Sequence, residues 1–185
     1  MHNPDTELVA RAGHGDRAAA AMLVSRHSAR IFALARRMLG RDAEAEDVVQ
    51  DTFLKLWTHA ARWQPGAAKI ETWLHRVALN ACYDRLRKKR PVPLDEALEL
   101  PDAAPGPDQG LDAPALSAAV AAALAELPER QRAAILLCHH EERGNIEAAE
   151  ILGLSVEAVE SLLSRGRRNL RARLAPFRGL LGEDE

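Results

Sequence analysis

Apolar side chains in this chain return at intervals of three and four residues, and few β-branched or aromatic runs could build a sheet. The clearest case is the series Leu23, His27, Ile31, Leu34 and Met38, widened by Phe32, Ala35 and Leu39. Such a stripe lies along one side of a helix of 3.6 residues per turn. His27 is its one polar member and reads as a satisfied core or boundary histidine. Ala, Leu, Arg and Glu dominate elsewhere, and all four favour helices. The expected fold class is therefore all-α. A length of 185 residues allows one medium domain or two small ones, and a hydrophobic fraction of 47% can furnish a core.

Breaks in the pattern divide the chain. Asn3-Pro4-Asp5 reads as a helix start, and Gly13-His14-Gly15 as its end. Asp16 is expected to cap a long second helix that stops near Leu39-Gly40. Asp42 is expected to cap a third, roughly Ala43 to Trp63, with Val49, Phe53, Leu56, Trp57 and Ala60 buried. Gln64-Pro65-Gly66 breaks it. A fourth helix is expected from about Glu71 to Lys89, packed through Trp73, Leu74, Val77, Ala78, Ala81 and Leu86, before Pro91 and Pro93. Residues 91–113 are rich in Pro, Asp and Gly and read as a flexible linker. A second helical set follows: residues 115–126, then Pro128 to about Glu142, then a short helix capped by Asn145. Gly153 makes a turn, and Ser155 caps the last helix, Val156 to about Leu174. The expected organisation is a four-helix domain over residues 1–90, a linker over 91–113, and a helix-turn-helix domain over 114–185.

A formal net charge of −2 argues against nucleic-acid binding only if the charge is spread evenly, and it is not. Residues 76–90 carry six basic groups against Asp84, and residues 160–178 carry six against Glu160. Residues 95–112 carry six acids and no base. Cys82 and Cys138 lack CxxC spacing, so a disulfide framework is not expected and a reducing cytoplasm fits. MHNPDTELVARAGHGD has no apolar core of signal-peptide length, and no apolar run approaches a membrane span. A cytoplasmic protein without direct membrane insertion is expected.

Three segments carry chemistry. GNIEAAEILGLSVEAVESLLSRGRRNLRARL, residues 144–174, has helix-turn-helix spacing. Val156, Val159, Leu163, Leu170 and Leu174 are expected inward, and Ser161, Ser164, Arg165 and Arg168 outward, where hydroxyls and guanidiniums suit base edges and phosphates. An ordinary helical hairpin with a solvated basic face is the plain alternative. TWLHRVALNACYDRLRKKR, residues 72–90, sets Asn80 and Tyr83 beside Lys and Arg, which suits unpaired bases. Core aromatics and a basic end that favours the helix dipole are the alternative there. AEAEDVVQDTFLKLW, residues 43–57, sets Glu44, Asp47, Gln50, Asp51 and Lys55 largely away from its apolar stripe. That suits a helical protein partner or a solvated face.

In this order the segments resemble the extracytoplasmic-function sigma factors of the sigma-70 class. The likeness rests on DAEAEDVVQDTFLKLW, TWLHRVALNACYDRLRKK, LPERQRAAILL and AEILGLSVEAVESLLSRGRRNLRARL, and covers about residues 16–90 and 120–174. It implies a factor that docks on core RNA polymerase, recognises and melts promoter DNA, and is held by an anti-sigma factor. It implies polymerase contacts at Asp47, Gln50, Asp51 and Lys55. It implies −10 element contacts at Gln64, Lys69, Asn80 and Tyr83, with Arg76, Arg87 and Lys88 on phosphates. It implies −35 element contacts at Ser161, Ser164, Arg165 and Arg168. Glu160 and Leu162 stand where the family often has basic residues, and Gly144-Asn145 where it often has a Ser-Tyr-like start. No nucleophile–base pair or phosphate loop is evident, so neither enzymatic activity nor a cofactor is expected. Cys138-His139-His140 with Glu141 looks metal-like, but adjacent helical residues diverge by about 100°, and no metal site is expected. A conventional dimeric helix-turn-helix regulator, or an adaptor that lost DNA contact, are the rival readings.

Overall fold

The structure, a computed structural model, describes residues 4–63, 69–89 and 113–180. They form helices α1 (Pro4–Gly13), α2 (Arg17–Leu39), α3 (Asp42–Ala60), α4 (Ile70–Lys89), α5 (Ala113–Ala125), α6 (Glu129–Ile135), α7 (Asn145–Leu152) and α8 (Val156–Leu174). No strand occurs among the described residues. Gln64 and residues 91–112 of the expected linker lie outside them.

In the first half α1, α3 and α4 pack around α2. Leu23, Ile31, Leu34 and Met38 of α2, the predicted stripe, meet Val9, Val48, Leu56 and Leu74, all fully buried. Asp16 caps α2 by accepting from the amides of Ala18 (2.9 Å) and Ala19 (3.1 Å). Gly40 closes it in the left-handed conformation at φ 75°. Asp5, 4% exposed, ties α1 to α2: it accepts from Arg26 and lies 2.8 Å from His27 Nε2. These partners offset the cost of burying its carboxylate.

Several local expectations are corrected. Asp42 is not a cap: Arg41 holds that position without a side-chain capping bond, and Asp42 in the first turn accepts from Arg36 Nε at 2.5 Å. α3 ends at Ala60, because the amides of Arg62 and Trp63 turn back on His59 and Ala60. Its buried stripe is Ala45, Val48, Thr52, Phe53, Leu56 and Ala60, with Val49 and Trp57 only half-buried. Thr52 sits in the core because its hydroxyl donates to the carbonyl of Val48 at 2.7 Å. α4 buries Leu79 and Cys82 as well as Leu74, Ala78 and Ala81.

In the second half α8 crosses α5, α6 and α7. Gly166 permits the close approach to α6, since a Cβ there would lie 2.8 Å from Ile135 Cδ1. α6 does not run on to Glu142 as an α-helix. It passes into a π-helical segment, Leu136–His140, and the amides of Glu141 and Arg143 bond back to Leu136 and Leu137. α7 and α8 enclose a turn with Gly153 at φ 65° and a cap in which Ser155 Oγ accepts from the amide of Ala158 (3.2 Å). Asn145 is not a cap; Gly144 holds that position and Asn145 begins the helix. Val159 and Leu163 are buried as expected, whereas Val156, Leu170 and Leu174 are half-buried.

The two halves share one continuous core. α5 and α6 pack on α2, and α7 packs on α4.

Candidate nucleic-acid interface

α8 presents Ser161, Ser164, Arg165 and Arg168 to solvent, as its periodicity predicts. Val159, Leu163 and Gly166 hold the opposite side against the domain. A shallow groove of about 310 Å³ runs beside this face between Asn145, Glu160, Leu163, Ser164, Arg167 and Arg171. The two departures in the helix now have structural accounts. Glu160 accepts from Asn145 Nδ2 at 3.3 Å, a link between α7 and α8. Leu162 is half-buried and packs against the core.

On α3, Asp47, Gln50 and Lys55 are exposed. Asp51 is half-exposed and accepts from Arg85 of α4 at 2.8 Å, so one of its oxygens is engaged within the domain. Sequence reasoning passed over Leu54, which is 61% exposed. It lies two turns beyond Asp47 and one beyond Gln50, so the three share a face. An apolar side chain on an otherwise polar helix face was the available signal.

α4 carries the remaining predicted contacts. Lys69 just before it, and Arg76, Asn80, Arg87 and Lys88 along it, are exposed; Tyr83 is half-buried. Arg87 pairs with Asp84 at 2.9 Å. Trp73 meets Trp63 edge-on at 5.9 Å and stacks on His59 at 5.4 Å, so aromatic contacts join the flanks of residues 64–68. Trp73 therefore belongs to this brace.

The face of α4 is also where the other half of the chain sits. Arg76 donates to the carbonyl of Glu150 in α7. Asn80, Tyr83, Asp84 and Arg87 line a cleft of about 560 Å³ whose far wall is Glu129 and Arg130 of α6. The Tyr83 hydroxyl is buried with no hydrogen-bond partner, and burial pushes its pKa up to about 12. His75, 2% exposed, donates from Nδ1 to the carbonyl of Glu71 at 2.7 Å and turns Nε2 toward Glu141, 3.7 Å away. Proximity to His75 holds the Glu141 carboxyl below its usual range. Arg132, 6% exposed, donates to the carbonyls of Ala125 and Leu127 beside it and to that of Met38 at the end of α2. His75, Arg132 and Glu141 carry no motif-level signal, since their roles come from the packing of the halves.

Cys138, His139 and Glu141 diverge. Cys138 Sγ faces Asn145, His139 Nε2 accepts from Arg167 Nε at 3.0 Å, and Glu141 faces His75. Among the described residues, donor atoms of Asp5, His27 and Glu71 lie within 4.8 Å of one another. Asp5 there is already engaged by Arg26 and His27, so the group reads as an ion network between α1, α2 and α4. No helix among the described residues is long and apolar enough to cross a membrane.

Comparison with known proteins places these surfaces in context. Residues 23–92 match the family described as Sigma-70 region 2, and residues 117–170 match Sigma-70, region 4. The chain is 35% identical over 157 residues to the ECF RNA polymerase sigma factor SigE of Mycolicibacterium smegmatis, a match covering 83% of this chain and 60% of that relative. It is similar in structure to CnrH, an RNA polymerase sigma factor of Cupriavidus metallidurans, solved with the cytosolic domain of CnrY. That likeness has a TM-score of 0.71 at 31% identity and covers 99% of this chain and 100% of the other. A sigma factor RpoE of Bartonella quintana, solved with the anti-sigma factor NepR, matches at a TM-score of 0.63 and 25% identity, over 84% of this chain and 96% of the other.

Proposed function

The chain belongs to the extracytoplasmic-function sigma factors of the sigma-70 family, and from that we propose that it is an alternative sigma factor for a stress or extracytoplasmic-signal regulon. It docks on core RNA polymerase, recognises −10 and −35 promoter elements, melts the duplex and starts transcription in the cytoplasm. It performs no covalent chemistry of its own. The working division is residues 1–90 for polymerase and the −10 element, 91–113 as spacer, and 114–185 for the −35 element.

The carrying observation is the separation of three polar surfaces on one helical scaffold. Asp47, Gln50 and Lys55 on α3 form the docking face, with Asp51 at its edge and Leu54 adding apolar area. Lys69, Asn80 and Tyr83, with Arg76, Arg87 and Lys88 for phosphates, line the strand-capture face of α4; Gln64 is assigned to it from sequence. Ser161, Ser164, Arg165 and Arg168 form the major-groove face of α8. An anti-sigma factor is the proposed inhibitor, supported by the relative solved with NepR.

In vitro transcription with core polymerase and sheared genomic template tests the reading. Promoter-dependent transcripts are expected only when the protein is added. The Arg165→Ala/Arg168→Ala double variant is expected to lower −35-dependent initiation about tenfold or more, since each good base or phosphate contact contributes on the order of 1–3 kcal/mol. Its binding to core polymerase is expected to be unchanged. Asp47→Arg is expected to do the reverse, weakening core binding first. An absence of promoter-specific transcripts from any template would sink the assignment.

A further inference from the structure

We propose that Glu160 is a base-reading residue of α8, selecting a C·G pair whose cytosine amine meets its carboxylate in the −35 element and rejecting guanine at that position. The proposal rests on the major-groove reading of α8.

α8 carries two parallel rows on its outward side. Ser161, Arg165 and Arg168 recur at intervals of four and three and form one. Glu160, Ser164, Arg167 and Arg171 recur at four, three and four and form the other, and all four are exposed. With Asn145 and Leu163 this second row lines the groove of about 310 Å³. Glu160 stands in the second turn of the helix, within the part of a recognition helix that meets base edges.

Two acids lie in these opening turns, and their surroundings separate them. Glu157 turns back on the helix start: its own backbone amide first, and then Ser155, engage the carboxylate and hold its pKa below the ordinary range. Glu160 is tethered differently. Cys138 Sγ donates to Asn145 Oδ1 at 3.8 Å, and Asn145 Nδ2 donates to Glu160 Oε1 at 3.3 Å. Burial pushes the Cys138 thiol pKa up, so the sulfur keeps the proton it donates and fixes which way the amide faces. The tether takes one carboxylate oxygen and brings no positive charge. Arg167, the next cation along the row, donates to His139 Nε2 at 3.0 Å. Leu162 is half-buried against the core, so Glu160 is the departure that faces solvent.

A carboxylate can only accept hydrogen bonds. In the major groove guanine shows two acceptors, and thymine an acceptor and a methyl group, so neither offers Glu160 a proton. Adenine offers its N6 amine, but its N7 acceptor stands beside that amine and opposes the second carboxylate oxygen. Cytosine offers its N4 amine with no acceptor next to it on the same base. The order of preference is therefore cytosine, adenine, and guanine last. The same negative charge opposes phosphates at every site, so it weakens binding in general and is compensated only where the amine is present.

A promoter library with the −35 element randomised tests this, transcribed by core polymerase with the full chain and read by sequencing barcoded transcripts. Wild type is expected to enrich C over G about tenfold at one position, the lower end for a base contact. Glu160→Arg is expected to turn the preference at that position to G, and Glu160→Gln, whose amide pairs with adenine, to A. Asn145→Ala is expected to lower the C preference about threefold without changing the preferred base, as the loss of one positioning hydrogen bond would. Other positions of the element, and binding to core polymerase, are expected to be unchanged. Glu160→Gln keeps an acceptor for Asn145, so it separates base reading from folding. If it retains the wild-type preference for C, or if Asn145→Ala leaves that preference untouched, the proposal is overturned and the promoter reading stands. Wild-type transcripts with no base preferred anywhere in the element overturn both.

Discussion

Asp5, His27 and Arg26 show how one buried carboxylate can organise a small helix. α1 has only ten residues, too few to be stable alone, and the ion network fixes it on α2. Asp5→Asn keeps the shape but removes the charge, leaving His27 and Arg26 without a carboxylate. A loss of about 1–3 kcal/mol is expected in urea unfolding at neutral pH. Gly13 is constrained by space: a Cβ there would sit 2.7 Å from the carbonyl carbon of Ala60. Backbone cannot yield as a side-chain tip does, so Gly13→Ala is expected to destabilise by about 1–3 kcal/mol despite alanine's helix preference. Gly166→Ala, facing the flexible end of Ile135, is expected to cost less in the same assay. Cys82 sets an alkaline limit. Burial pushes its thiol from 9.0 up to about 12, so the folded state holds a proton that the unfolded chain releases. Stability is full below pH 9 and is expected to fall as pH rises from 9 toward 12, where Tyr83 adds to the loss. Urea midpoints measured across that range check it.

Helices here are placed by packing more than by their own termini. Asp16 and Ser155 act as the caps their position in the sequence predicts, because each precedes a clear apolar period by one or two residues. Asp42 and Asn145 have the same chemistry and fail as caps, because each is drawn to a neighbour: Arg36 in one case, Glu160 and Cys138 in the other. Ser155→Ala is expected to cost about 1 kcal/mol and to loosen the first turn of α8, read as faster amide exchange at Ala158. Periodicity gave α2 and α8 nearly to the residue, since their stripes are long. On α3 it placed Phe53, Leu56 and Ala60 correctly but took Val49 and Trp57 as buried in place of Ala45, Val48 and Thr52, because Val48 and Val49 are equally apolar and only contact with α2 and α4 separates them. The π-helical segment was hidden because LLCHH has an ordinary helical composition.

At the scale of the molecule, one continuous core runs through both halves. A single cooperative unfolding transition is therefore expected. Tryptophan fluorescence reports only the first half, through Trp57, Trp63 and Trp73, whereas far-ultraviolet dichroism reports both. Coincident midpoints are expected; separate transitions would show that the halves are held independently. The Glu141 carboxyl adds an acid dependence to their union. It is held below its usual range by His75 first, with Arg143 and Arg30 contributing, so its stabilisation is present above the ordinary carboxylate range. That contribution is expected to be lost as pH falls through the depressed value, and a rising radius of gyration in acid would register it.

The sequence alone determined the helices, the division into two sets, the outward face of α8 and the family. These follow from local rules: period, caps, breakers and motif order act within a few turns of chain. Tertiary structure decided that Val48 and Thr52 rather than Val49 and Trp57 complete the buried side of α3, which capping residues are used, and that Glu160 and Leu162 make contacts within the C-terminal half. It also decided that the two basic helices are unequal: α8 keeps its predicted face clear of the rest of the chain, whereas α4 packs on α7, with Arg76 bonded to Glu150, and faces α6 across a cleft. The physical reason is that His75, Arg132 and Glu141 act on partners 66 to 94 residues away in sequence, and no local pattern encodes so distant a contact.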